Sequence, residues 1–487
     1  MKWGNLLRGI SIVALTATSL GMPAGAAESC GGPTSGGEWR SYGHDLSNTR
    51  TQSLEDQIDA SNVATLAAGW NLDLADVGAD GAFQSTPAVA DGCLYIATDS
   101  GWVISLNADN GELNWKVQLT GGVFGLTLTD DGTIVALVND TDEPYATALD
   151  RTDGSEIWRA DPPQTRTALR TNASPVVFDG LVFMGYSVVE GDVGGHAGYQ
   201  ILDLGTGEQL AHGYVVPPED WDEGYGGGGV WTTGVVDPTS KHVFVGTSNP
   251  TSKKIEHRQH NAVLKIDLDR NRPTFGQVVD NAKGNYDQYY PGLDRQPACR
   301  ETGDQILYAG FSVTCAQLDL DFGASPNLFT DDEGDTLVGI LQKSGVYHVF
   351  YADTMQQAWT QILAPPCLQC NFSSTATDGS TIFGVGTPPG QMVAFEAHRG
   401  AYRWAMPIGD GLHHQAVSTA NGVVYTVDSI GFLDAFDATT GVPLLRRYIG
   451  VDTVGSTVAL SSAGIAIARH TLYVPASSNL VAYRIPA

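Results

Sequence analysis

The sequence Leu-Asn-Ala-Asp-Asn-Gly at residues 106–111, followed by Trp115, is the first clear copy of the pattern that decides the fold. Related turns recur at residues 149–154, 202–207, 394–400 and 436–441. In three of these copies a tryptophan follows the turn glycine at the same spacing, giving Trp115, Trp158 and Trp404. Asp, Asn and Gly favour tight hairpin turns, because Gly tolerates positive φ and the Asp and Asn side chains form hydrogen bonds with their own backbone. The pattern therefore predicts repeated β-hairpins, with each tryptophan able to pack against the neighbouring repeat.

Two weaker copies, at residues 263–275 and 347–359, raise the number of turns to seven. The last strand, at residues 480–483, needs a partner for an eighth repeat, and residues 69–72 near the N-terminus could supply it. Apolar runs between the turns predict buried strands. Strand- and tryptophan-rich repeats of about 40–50 residues are typical of propellers. We therefore predict an all-β fold, an eight-bladed β-propeller closed by both ends of the chain, with an insertion between Asp267 and Tyr347.

Composition restricts the class of protein further. Of 487 residues, 42% are hydrophobic and 16% charged, which argues against disorder. The formal net charge of −28 repels phosphate backbones, so we expect no nucleic-acid partner. We expect residues 28–487 to form one propeller domain.

Residues 1–27 have the layout of a secretory signal peptide. Lys2 and Arg8 precede an apolar stretch at residues 10–20, and small residues follow at 24–27. The apolar stretch is shorter than the roughly 18 residues that a transmembrane helix needs. We therefore expect an exported protein, periplasmic or secreted, with no transmembrane segment.

The six cysteines suit an oxidising compartment, and their spacing leaves 15 possible pairings. Cys367-Leu-Gln-Cys370 favours a local disulfide, and Cys299 with Cys315 is the next most natural pair. A haem attachment site would need His at position 371, where Asn371 stands, and a zinc site would need a second ligand pair.

The repeat resembles the tryptophan-docking motif of the pyrroloquinoline quinone (PQQ) dehydrogenases. Residues 39–50, Trp-Arg-Ser-Tyr-Gly-His-Asp-Leu-Ser-Asn-Thr-Arg, are similar to the start of the mature quinoprotein alcohol dehydrogenases. Residues 319–326, Asp-Leu-Asp-Phe-Gly-Ala-Ser-Pro, are similar to a segment of the polyvinyl-alcohol dehydrogenase branch. The resemblance implies a PQQ- and Ca²⁺-dependent enzyme that oxidises a small or polymeric alcohol to a carbonyl compound. Without a haem c motif, electrons would leave to a separate acceptor such as a cytochrome c.

Five residues match the family's site by type and chain order. Glu190, Asn249 and Asp321 match its metal ligands, and all three offer the oxygen atoms that Ca²⁺ prefers. Asp321 also matches the general base that accepts the substrate's hydroxyl proton. Lys343 matches the basic residue at the quinone oxygens. Trp231, upstream of Asn249, matches the aromatic floor under the quinone.

The sequence also departs from the family. Residues 120–125 lack the adjacent cysteines and the nearby arginine that many members place beside the quinone. Some lanthanide-using relatives have a second Asp two places after the catalytic one, where Gly323 stands here, which favours Ca²⁺. For His413 and His414 we favour loop packing or surface exposure over a metal site.

Two other functions fit parts of the pattern. A non-catalytic propeller, acting as a protein-interaction scaffold as in outer-membrane assembly, would explain the repeats and the acidic surface but not the five matching residues. A quinoprotein that oxidises sugars would keep the cofactor and change the pocket.

Overall fold

Eight four-stranded antiparallel blades form the computed structural model, one of them extended by a fifth strand. The structure describes residues 30–31, 35–140, 144–163, 169–189, 195–251, 256–285, 303–308, 310–315, 318–367, 370–387, 389–409, 411–453 and 463–486. The predicted all-β, eight-bladed propeller is confirmed. The predicted signal peptide lies outside the described residues.

The first four blades follow one another along the chain, each beginning with its innermost strand. Blade 1 contains Ala88–Ala90, Cys93–Ala97, Trp102–Asn107 and Leu113–Gln118. Blade 2 contains Gly122–Leu128, Thr133–Asn139, Tyr145–Asp150 and Glu156–Ala160. Blade 3 contains Val176–Phe178, Leu181–Gly185, Gly198–Asp203 and Gln209–Tyr214. Blade 4 contains Val235–Asp237, His242–Gly246, Ala262–Asp267 and Val278–Lys283.

The last four blades repeat this order, and the eighth closes the ring. Blade 5 contains Asn327–Thr330, Thr336–Leu341, Val346–Tyr351 and Gln357–Ile362. Blade 6 contains Ala376–Thr377, Thr381–Gly386, Gln391–Glu396 and Tyr402–Pro407. Blade 7 contains Ser418–Ala420, Val423–Val427, Phe432–Asp437 and Pro443–Tyr448, with Thr51–Gln52 added in parallel. Blade 8 contains Ala466–Ala468, Thr471–Ala476, Asn479–Arg484 and, from the N-terminal side, Ala67–Asp73.

The remaining elements are short. The predicted insertion lies between blades 4 and 5, and it contains the hairpin Gln305–Tyr308 with Phe311–Thr314. Leu169–Arg170 pairs with Ser187–Val188 beside blade 3. The 3₁₀ helices are Val63–Thr65, Leu74–Val77, Pro218–Glu223 and Ile449–Val451. Within the described ranges, no helix has the length and apolar character needed to cross a membrane.

Tryptophans dock several blades onto the blade that follows, as the repeat predicts. The indole Nε1 of Trp70, Trp115, Trp158 and Trp404 donates to a carbonyl in the turn of the following blade, at 2.8–3.1 Å. The ring also packs beneath the turn glycine, whose φ is positive; Gly154, at φ 74°, covers Trp115 in this way. One side chain therefore satisfies a turn carbonyl and fills the space between blades.

Gly154→Ala is expected to cost more stability than Gly132→Ala. Both glycines have positive φ, so both variants carry the backbone penalty of about 1 kcal/mol. A Cβ at residue 154 would lie 2.7 Å from the Trp115 ring, whereas at residue 132 it would meet nothing within 4 Å. We expect an extra loss of roughly 1–3 kcal/mol in Gly154→Ala, measured by urea unfolding. Equal losses would contradict the docking role of the ring.

Residues 39–52 form a belt around the inner strands of the propeller. Its carbonyls accept hydrogen bonds of 2.7–2.9 Å from the innermost strands of blades 1, 2, 4, 5, 6 and 7. The acceptors are Trp39, Arg40, Leu46, Ser47, Thr49 and Arg50, and the donors in the same order are Val89, Leu128, Val236, Leu328, Thr377 and Thr419. The belt reaches blade 8 through Gln52 Nε2, which donates to Ile467 O at 3.0 Å. One segment thus ties seven blades together.

Arg50 anchors the belt as a fully buried cation. Its guanidinium donates to the carbonyls of Val417 and Ile465 at 2.7 and 3.2 Å, and also to Tyr42 O and Ser418 Oγ. The ring of Tyr42 lies 4.9 Å away. Burial lowers the pKa of Arg50 to about 10, so the group stays charged at neutral pH.

One disulfide joins the N-terminal segment to blade 1, and another closes a short loop after blade 5. Cys30 is bonded to Cys93 of blade 1, and Cys367 to Cys370, which confirms the predicted local disulfide. Cys315 is also disulfide-bonded, and its predicted partner Cys299 lies outside the described residues.

Candidate active site

Four of the five predicted site residues meet at one cavity of about 220 Å³ beside blades 3 to 5. Trp231 precedes the innermost strand of blade 4, and Asn249 follows the second strand of that blade. Asp321 precedes the innermost strand of blade 5, and Lys343 follows its second strand. The fifth, Glu190, lies outside the described residues.

Backbone hydrogen bonds between neighbouring loops set these residues side by side. Each bond joins a loop that carries one site residue to the loop that carries the next. They run from Ser248 N–H to Gly229 O at 3.0 Å, from Phe322 N–H to Thr247 O at 3.3 Å, and from Lys343 N–H to Asp321 O at 3.2 Å. The strand ends of blades 4 and 5 therefore fix the site.

Lys343 lies between two carboxylates. Its Nζ contacts Asp321 Oδ1 and lies 3.4 Å from Asp319 Oδ2. The Asp321 side chain is 4% exposed and that of Lys343 11%. Burial raises the pKa of Asp321 above its ordinary value; Lys343 opposes this shift and the charge of Asp319 adds to it. The arrangement is a mostly buried ion pair, and an acid of raised pKa suits proton transfer.

Trp231 connects this ion pair to an aromatic wall. Its Nε1 donates to Asp321 Oδ2 at 3.1 Å, and Lys343 Nζ lies 5.5 Å from its ring centre. Phe372 meets its ring edge-on at a centroid distance of 6.3 Å. A Cβ at Gly323 would collide with Phe372 and lie 3.1 Å from Trp231, which explains the absence of a side chain there.

Asn249 completes the polar side of the cavity. Its Nδ2 donates to Asp319 Oδ1, and its carbonyl accepts from Gly228 N–H at 2.8 Å. Asn249, Asp319 and Asp321 line one cavity, and their side chains carry hard oxygen donors. This donor set fits Ca²⁺, which binds through oxygen. The ring of Trp231, with Lys343 and Arg170 in the same cavity, fits a flat cofactor that carries carboxylates, such as PQQ.

A second cavity of about 230 Å³ shares Trp231 and Asn172 with the first. It is lined by Tyr42 of the belt, Phe124, Phe372 and His414, whose ring lies 4.1 Å from that of Phe372. Aromatic groups thus line a second cavity that Trp231 also borders.

His413 and His414 pack within the loops, in line with the interpretation that we favoured. His413 is 1% exposed, and its Nδ1 lies 3.1 Å from Thr426 Oγ1. Burial lowers the pKa of His413 to about 3.

The sequence pattern missed two charged residues of the cavity. Asp319 lies two positions before Asp321 and contacts both Lys343 and Asn249. Its place in the Asp-Leu-Asp alternation was the signal, because alternate residues of an extended segment point the same way. Arg170 also lines the cavity, and no local motif marks it.

A family model described as outer membrane protein assembly factor BamB, of the PQQ_2 type, matches residues 55–268 and 342–486. These ranges cover most of the chain. The chain belongs to this PQQ_2 family. This chain combines the family's repeats with the charged cavity described above.

Similar proteins include quinoprotein alcohol dehydrogenases, which confirms the resemblance predicted from the repeats. The polyvinylalcohol dehydrogenase of Sphingopyxis sp. (strain 113P3) is 23% identical over 90% of this chain and 70% of its own length. The quinohemoprotein alcohol dehydrogenase ADH IIB of Pseudomonas putida is 29% identical over 44% of this chain. That match spans 34%, about a third, of the relative's own length.

A solved structure shows the same fold. The quinohemoprotein alcohol dehydrogenase from Comamonas testosteroni superposes with a TM-score of 0.68, covering 92% of this chain and 82% of that one, at 16% sequence identity. The eight blades found here are therefore those of a known propeller architecture.

Proposed function

We propose that this chain is an exported, PQQ- and Ca²⁺-dependent dehydrogenase that oxidises an alcohol to a carbonyl compound, with residues 28–487 as one catalytic domain. One observation carries the proposal: Lys343 lies between Asp321 and Asp319, beside Asn249 and against the face of Trp231, in a single cavity. A scaffold has no need for a buried acid of raised pKa next to an ammonium group.

Asp321 is the general base in this proposal. Its buried carboxylate accepts the proton of the substrate hydroxyl, and the Trp231 Nε1–H bond to Oδ2 keeps it oriented. PQQ bound with Ca²⁺ would supply the acceptor for the hydride that leaves the carbinol carbon. Lys343 stabilises negative charge that develops on oxygen, because a fixed cation acts strongly in a water-poor site.

The remaining residues hold the groups in place. Asn249 and Asp321 contribute oxygen ligands for Ca²⁺, with Glu190 as the third proposed ligand. Trp231 provides the flat surface on which the cofactor lies. A metal-ligating side chain at position 323 would collide with Phe372. Some lanthanide-using relatives have an Asp at this position, so its absence here supports Ca²⁺ as the metal.

The proposed substrate follows a relative that matches 90% of this chain. The name of that relative, polyvinylalcohol dehydrogenase, supports a secondary or polymeric alcohol as the substrate here. A separate acceptor such as a cytochrome c would take the electrons, since the sequence contains no haem c motif.

The alternative function is a non-catalytic scaffold. The matching family is described as an outer membrane assembly factor, which favours this alternative. The scaffold needs neither cofactor nor metal, so cofactor binding separates the two functions.

A dye-linked assay tests the proposal. Protein without residues 1–27, reconstituted with PQQ and Ca²⁺, is offered primary and secondary alcohols, polyvinyl alcohol and glucose with an artificial electron acceptor. We expect alcohol-dependent dye reduction that requires both PQQ and Ca²⁺. Oxidation of glucose alone would assign the sugar-oxidising alternative, and no turnover of any substrate would favour the scaffold.

A further inference from the structure

Arg170 is the second cation of the cavity that contains Lys343. It lies on the short strand Leu169–Arg170, directly opposite Ser187 in the antiparallel pair. Ser187 in turn bridges to Gly229, two residues before Trp231. The strand with Arg170 is therefore attached by backbone pairing to the segment that carries the aromatic floor.

Arg170 differs from Lys343 in whether its charge is already paired. The Lys343 ammonium is already shared between Asp319 and Asp321. The Arg170 side chain is exposed and, within the part of the chain that the structure describes, makes no hydrogen bond or ion pair. It is thus the cation of this cavity whose charge is available to a ligand.

The electrostatic balance of the cavity points to an anion at Arg170. Asp319 and Asp321 carry two negative charges, which Lys343 and Arg170 balance among the described lining residues. Without Arg170 the described lining would carry one positive charge against two negative charges before any metal ion is bound. A guanidinium binds a carboxylate through two parallel N–H bonds, a geometry that an ammonium lacks.

We propose that Arg170 binds a carboxylate of the cofactor and so supplies the positive charge that residues 120–125 lack. This inference rests on the proposed function, because it takes PQQ, a tricarboxylate, as the ligand. Arg170 approaches from the strand that is bonded to Ser187, whereas Lys343 approaches from blade 5. The two cations therefore reach different parts of one flat molecule lying on Trp231.

The test compares two ligands across matched variants. Calorimetry measures the Kd of PQQ and of its trimethyl ester, both with Ca²⁺, for the unmodified protein, Arg170→Ala, Arg170→Lys and Arg399→Ala. Arg399 is an exposed arginine of the blade 6 turn, distant in sequence from the cavity, and serves as the control. Thermal unfolding confirms that each variant is folded.

We expect Arg170→Ala to weaken PQQ binding by about 10–100-fold, as the loss of a charge-assisted pair does. Arg170→Lys should recover part of the loss and Arg399→Ala should change nothing. The ester should bind the unmodified protein and Arg170→Ala with similar Kd values, since it carries no carboxylate.

Two results would overturn the inference while leaving the proposed function in place. One is a Kd for PQQ that Arg170→Ala does not change. The other is an equal loss for PQQ and its ester, which would show that Arg170 shapes the cavity and does not pair with a carboxylate. If the unmodified protein binds no PQQ, the proposed function fails and the inference fails with it.

Discussion

Asp321→Asn is expected to lower kcat for alcohol oxidation by about 10²–10⁴-fold while PQQ still binds. The amide keeps the size of the side chain and an oxygen for the bond from Trp231 Nε1, but it cannot take up the hydroxyl proton. The dye-linked assay gives kcat, and calorimetry gives the Kd of PQQ for the same preparation. A large loss in kcat with a small change in Kd separates proton transfer from binding.

Asp319→Asn is the matched control for this prediction. Asp319 contacts the same Lys343 and belongs to the same acidic pair, yet it is not the residue bonded to Trp231. We expect its kcat to fall far less than that of Asp321→Asn. Equal losses in the two variants, or full activity in Asp321→Asn, would contradict Asp321 as the general base.

Arg50→Leu is expected to lower the free energy of unfolding by roughly 3–5 kcal/mol. The change leaves buried carbonyls of Val417 and Ile465 without their donor and loosens the belt where it crosses blades 7 and 8. Urea unfolding, followed by circular dichroism, measures the difference.

Arg40→Leu tests whether the loss of stability in Arg50→Leu comes from removing a buried cation or would follow from removing any charge in the belt. Arg40 lies in the same segment, but its side chain is 29% exposed and pairs with Glu38 and Asp130. Such surface pairs contribute about 0–1 kcal/mol, so we expect a small loss. A loss for Arg40→Leu as large as that for Arg50→Leu would contradict the anchoring role of Arg50.

The propeller was predictable because its repeat is local. A turn glycine and a tryptophan four residues later appear in the sequence, and the structure uses them to dock Trp115 under Gly154. Closure was predictable for the same reason, since the last strand at residues 480–483 needed a partner and pairs with Ala67–Asp73. The weaker turns were harder to recognise, because Ala211 takes the position of the docking ring next to Gly276.

The belt could not be predicted from hydrophobic pattern or turn chemistry. Its contacts with the inner strands are made by backbone carbonyls, which every residue has, so the side chains of residues 39–52 do not encode them. The buried side chains of Asn48, Arg50 and Gln52 add specific bonds to these carbonyl contacts.

The site was partly predictable. Trp231, Asn249, Asp321 and Lys343 were identified by resemblance, and the structure brings them together. Arg170 could not be found in this way, because it reaches the cavity through the pairing of two short strands. Asp319 lay inside a matched segment, but its contact with Asn249 depends on how blades 4 and 5 meet.

Cofactor binding by the metal-stripped protein tests the central claim most directly. Calorimetric titration of the chain without residues 1–27 with PQQ, first without and then with Ca²⁺, gives two Kd values. The account predicts saturable binding of one PQQ per chain that requires Ca²⁺, is weakened in Asn249→Ala and Trp231→Ala, and is unchanged in the surface variant Arg399→Ala. No binding in the presence of Ca²⁺, or binding that Ca²⁺ leaves unchanged, would contradict the quinoprotein assignment.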